Sequence, residues 1–104
     1  MDKGVSLLDD TQSMTFREMY SIGSLCKQCG KLLVAEKYFK KLLDGCELKE
    51  LRAGAFFHLG DSAYIRAEND HACSLFLQCL ELNPEHKKAH ELKKTIQGKM
   101  HVRT

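Results

Sequence analysis

Residues 53–84 read Ala53-Gly54-Ala55-Phe56-Phe57-His58-Leu59-Gly60-Asp61-Ser62-Ala63-Tyr64, Ile65-Arg66-Ala67-Glu68-Asn69-Asp70, then His71-Ala72-Cys73-Ser74-Leu75-Phe76-Leu77-Gln78-Cys79-Leu80-Glu81-Leu82-Asn83-Pro84. Two helical faces are written into this stretch. Phe56, Leu59, Gly60 and Ala63 share one side of a first helix. Ala72, Leu75, Phe76, Cys79 and Leu80 recur at the three- and four-residue spacing of a second. Gly60 and Ala72 are small, which predicts two backbones in close approach. A glycine inside a helix costs roughly 1 kcal/mol against alanine, and such an approach accounts for it. Asn69 or Asp70 is expected to cap the second helix, and Asn83-Pro84 to cap and open a third.

The same pattern stands 37 residues upstream as Met19, Ile22, Gly23, Cys26, Ala35 and Phe39. The glycine, the alanine and the phenylalanine all recur, so an internal repeat is the economical reading. Thr15-Phe16-Arg17-Glu18 has capping-box form and predicts a helix start. Gly30 is expected to end that helix as a left-handed residue. Lys31–Asp44 predicts the next helix, with Ala35, Tyr38, Phe39, Leu42 and Leu43 inward. After Gly45, Leu48 and Leu51 open the following helix about a turn early. No proline closes the first unit, where Glu47 stands, which predicts a looser exit. Pro84–Gln97 predicts a fifth helix with a narrow stripe of Ala89, Leu92 and Ile96 among Lys87, Lys88, Lys93 and Lys94, stopped by Gly98.

These positions resemble the tetratricopeptide (TPR) repeat, Trp-x2-Leu-Gly-x2-Tyr, Ala-x3-Phe, Pro. Phe56 stands where tryptophan is usual, and Ala63 where tyrosine is usual. The resemblance covers residues 16–97. It implies an all-α fold, a right-handed α-α superhelix of antiparallel helix hairpins. The layout would be an arm at 1–13, a helical domain at 14–97 and a basic tail at 98–104. Within the domain, repeat one spans 16–49, repeat two 53–84 and a capping helix 85–97. Arrays of this kind usually hold at least three repeats. Two repeats and a cap therefore point to docking on a larger body or to a homo-oligomer.

The bulk numbers narrow the function classes. A length of 104 residues suits one small domain, and 43% apolar residues is ordinary for a globular chain. No apolar run approaches a membrane span, and Met1-Asp2-Lys3-Gly4 does not open a signal peptide. Five cysteines in no scaffold spacing suggest reduced thiols and a cytoplasmic location.

Motifs that could carry chemistry have plainer readings. Cys26-Lys27-Gln28-Cys29 is a CxxC, but it falls at a helix C-terminus, where the dipole disfavours a thiolate. No second ligand pair stands at zinc spacing, so the cysteines read as packing. His86 and His90 at i, i+4 leave most of a metal shell unfilled and sit among lysines, so no metal and no cofactor is expected. Residues 85–104 carry a local balance of +4, yet no aromatics interleave with the charges, so nucleic acid is not expected. No nucleophile triad or phosphate loop appears, and the chain does not read as an enzyme.

The functional expectation is a protein-interaction module. The resemblance implies a concave groove lined by the first helix of each hairpin, here Arg17, Tyr20, Ser24, Lys27, Phe57, His58, Asp61, Tyr64 and Lys88. Tyr20, Phe57 and Tyr64 are the expected aromatic anchors, and Arg17 with Lys27 would favour an acidic peptide. The family's carboxylate clamp for chaperone tails would map to Arg17, Ser21, His58, Lys88 and Leu92. Two of these five are basic and both of the clamp's asparagines are absent, which argues against that use. The competing class is a scaffold piece that self-associates or stacks within a larger array.

Overall fold

The computed structural model describes residues 14–102, with side chains through 98. It has five helices: α1 Phe16–Gln28, α2 Leu32–Gly45, α3 Lys49–Ile65, α4 Asn69–Leu82 and α5 Lys87–Val102. No strand occurs among the described residues. α1 packs on α2 and α3 on α4 as two hairpins. α3 also lies against α1 and α2, and α5 lies against α4. None of the helices is long and apolar enough to cross a membrane.

Each hairpin is held by the residues that repeat. Ala35 and Ala72 are fully buried, as are Phe39 and Phe76. A Cβ placed on Gly23 would lie 2.9 Å from the Phe39 ring, and one on Gly60 would lie 2.7 Å from the Phe76 ring. Each glycine thus gives up a side chain so that a phenylalanine can lie flat on the neighbouring backbone. α3 is buried around most of its circumference, through Leu51, Ala53, Gly54, Ala55, Phe57, Leu59, Gly60, Ser62 and Ala63. It is the central helix, with one hairpin on one side and its own partner on the other.

The helix ends repeat as well. Thr15 caps α1 through the expected capping box with Glu18. α1 closes with Gly30 N–H donating to Lys27 O and Lys31 N–H to Cys26 O. α3 closes with Ala67 N–H donating to Tyr64 O and Glu68 N–H to Ala63 O. Both are Schellman turns. Both central residues are left-handed, Gly30 at φ 83° and Ala67 at φ 64°.

Four expectations are corrected. α4 begins at Asn69 behind Glu68, with no side-chain cap from Asn69 or Asp70; the Schellman turn feeds the chain straight into the helix and leaves no free cap position. α5 begins at Lys87, not Pro84. Asn83 Oδ1 accepts from Glu85 N–H in a turn, and His86 Nδ1 accepts from Ala89 N–H as the cap. Gly98 does not stop α5, which runs on to Val102 through residues assigned to a tail. Gly98 lacks a positive φ, and a glycine ends a helix by turning left-handed. The exit of α2 is not loose: Arg52 Nη1 donates to Leu43 O at 2.9 Å and to Cys46 O at 3.0 Å. The early start of α3 supplies the turn on which Arg52 sits. The arm at 1–13 lies outside the described residues.

Candidate functional site: a three-helix cleft

An open cleft of about 480 Å³ lies across α1, α3 and α5. α1 contributes Ser24, Lys27 and Gln28, one helical face at i, i+3 and i+4. α3 contributes Phe57, His58 and Asp61, and α5 contributes Lys88, Glu91 and Leu92. These are the first helix of each hairpin and the helix that follows the second hairpin.

The polar centre of the cleft is Lys27. Its ammonium donates to Asp61 Oδ2 at 2.6 Å and to His58 Nδ1 at 3.0 Å. It also stands 5.4 Å above the centre of the Phe57 ring. With its side chain 14% exposed, Lys27 is a withdrawn charge with a carboxylate counterion. An ammonium has no acceptor site, so His58 Nδ1 must present its lone pair and the ring proton resides on Nε2. Burial, then the Lys27 ammonium, pull the His58 pKa down to about 4, against an upward pull from Asp61. The imidazole is neutral at pH 7.

Beneath this polar layer lies a floor of rings. His58 stacks on Phe39 with centroids 5.0 Å apart. Tyr20 meets both His58 and Phe39 edge-on, at 5.4 and 5.7 Å. Phe57 contacts His58, Phe76 and His86, the last at 4.7 Å. Tyr20 reaches this floor across Gly54, where a Cβ would come within 2.7 Å of the tyrosine ring.

Of the nine residues expected in the groove, Ser24, Lys27, Phe57, His58, Asp61 and Lys88 line the cleft. Arg17, Tyr20 and Tyr64 do not. Arg17 is exposed elsewhere on α1, because a residue ten places from Lys27 falls on a different face and at the other end of the helix. Tyr20 and Tyr64 are half-buried against the core. Phe57 lines the cleft but is not an exposed anchor: it is 8% exposed, covered by the start of α5 through His86. The expected bias toward an acidic peptide is corrected too. The cleft holds Lys27 and Lys88 against Asp61 and Glu91, and Lys27 is already paired. Glu91 was missed because its helix reads as a lysine-rich solvated cap. Its place three residues after Lys88, on one face, was the available signal.

The cysteines are free thiols. Cys46 and Cys79 are buried, and burial pushes the Cys79 thiol up to about 11. Among the described residues, no three His, Cys, Asp or Glu side chains gather as metal ligands would. Compared with family models, curated proteins and solved structures, the chain matches none of them.

Proposed function

We propose that this chain is a TPR-like, non-catalytic interaction module that takes a segment of a partner protein in the cleft of α1, α3 and α5. The observation that carries this reading is the cleft's construction. One face from each of three roughly aligned helices meets there, with charged and amide groups at the rim and aromatic rings beneath. Such a surface offers a polypeptide both hydrogen-bond partners and apolar floor. The matched hairpins, with glycine under phenylalanine and Schellman turns at equivalent places, support the TPR-like stack. Balanced charge favours a segment of mixed composition over a strongly acidic one.

The test is a selection of peptides on the intact chain followed by chemical-shift mapping of the best binder. The expected shifts fall on Ser24, Gln28, Asp61, Lys88, Glu91 and Leu92. Lys88→Glu should then weaken binding by about tenfold, or 1.4 kcal/mol, with no change in melting temperature. Shifts confined to the outer faces of α2 and α4 would reject the cleft. Phe57→Ala is the wrong probe, because emptying a buried ring site costs roughly 3–5 kcal/mol of stability by itself.

A further inference from the structure

α2 lies along one stripe of α3 and is fastened at both ends of it. Arg52 binds the last carbonyls of α2, and Arg66 Nη2 lies 2.9 Å from Glu36 Oε2 near the start of α2. Between those residues the stripe continues through Ala55, Leu59 and Ser62, at the spacing of a single helix face. Ala55 and Ser62 are both 0% exposed, and Leu59 is buried. The equivalent stripe on α1, 37 residues earlier, is Thr15, Glu18, Ile22, Leu25 and Cys29. There Glu18 and Cys29 are exposed and Ile22 is half-buried. Leu25, which stands where fully buried Ser62 stands in the second hairpin, is 60% exposed. The stripe is covered on α3 and uncovered on α1, although α1 offers the larger apolar side chains.

In the second hairpin the covering element is the chain that immediately precedes the covered helix. We infer that residues 1–13, which immediately precede α1 and lie outside the described residues, seat Val5, Leu7 and Leu8 on the Ile22–Leu25 stripe. Apart from Met1, these three are the apolar residues of that segment. The reach is sufficient. Leu25 lies about 15 Å along α1 from Thr15 at 1.5 Å per residue. The nine residues from Val5 to Met14 span up to about 30 Å when extended. The 37-residue register also places Val5 at the position of Leu42, a fully buried residue of α2. This contact lies on a different face from the cleft and does not depend on anything binding there.

The test uses the full chain with labelled Val, Leu and Ile methyl groups. Cross-peaks are expected from Val5, Leu7 or Leu8 to Ile22 or Leu25, at intensities independent of concentration. Their absence overturns the inference. Cross-peaks that survive only between differently labelled molecules overturn it as well, in favour of a second copy on the stripe. As an independent reading, Leu25→Ser and the triple change Val5→Ser, Leu7→Ser, Leu8→Ser should each lower the melting temperature. Combined, they should lower it by no more than the larger single effect, since both remove one contact. Fully additive losses would mean that the two sets of residues do not touch.

Discussion

His58 is the residue whose chemistry changes most on folding. Burial beside Lys27 holds its pKa at about 4, against about 6.5 in an unfolded chain. Between those values the unfolded state binds the proton and the folded state does not, so stability rises with pH across the window. The contribution is complete above pH 6.5 and is lost as the pH falls toward 4. At about 1.4 kcal/mol per unit, the loss comes to roughly 3 kcal/mol. Urea midpoints at pH 7.5, 5.5 and 4.5 should therefore fall more steeply for the parent than for His58→Gln, with the other histidines common to both. Parallel pH profiles would mean that His58 titrates freely in the fold.

At the scale of the element, the two Schellman turns make a matched experiment. Both need a left-handed residue, and one has glycine while the other has alanine. An L-residue in that region carries about 1–2 kcal/mol of strain. Alanine also restricts the unfolded chain more than glycine does, which offsets about 0.4–1 kcal/mol. Ala67→Gly should accordingly stabilise the protein by up to about 1 kcal/mol, and Gly30→Ala should destabilise it by a similar amount. Opposite signs at equivalent positions are the expected outcome of thermal denaturation. A loss in both variants would place the cost in the turn's side-chain packing instead. Gly30 was legible in the sequence as a helix stop. Ala67 was not, because its left-handed conformation is imposed by hydrogen bonds from Ala67 and Glu68 back to Tyr64 and Ala63.

Across the whole molecule, the coupling of the two hairpins runs through α2 and α3. Glu36 is 8% exposed and faces Arg66, whose guanidinium also reaches the exposed Glu68 at 3.1 Å. Arg66→Ala leaves Glu36 without its counterion and should cost about 1–3 kcal/mol. Glu68→Ala removes only a surface pair and should cost less than about 1 kcal/mol. Urea unfolding with an unchanged slope checks both. Equal losses would show that Glu36 is solvated and that the hairpins are held by apolar packing alone. Neither Glu36 nor Arg66 stood out in the sequence. Glu36 lies beside Ala35 at a position read as solvent-facing, and only the arrival of the end of α3 buries it.

The sequence by itself determined the all-helical class, the inward faces, the capping box at Thr15 and the glycine–phenylalanine contacts within each hairpin. Those features depend on residues a few places apart, or on one pattern repeated at a fixed offset, so periodicity exposes them. It also determined six of the nine cleft residues, because the face of a first helix that avoids its own partner is set by the same periodicity. The tertiary structure alone decided what each of those residues does. Phe57 became floor rather than anchor because α5 crosses it. Lys27 lost its pull on acidic partners because Asp61, 34 residues away, supplies the counterion. Arg52 became the cap of α2 because the extra turn of α3 brings it to those carbonyls. Burial and charge pairing between helices are set by how the helices lie together, and no local pattern in the chain encodes that.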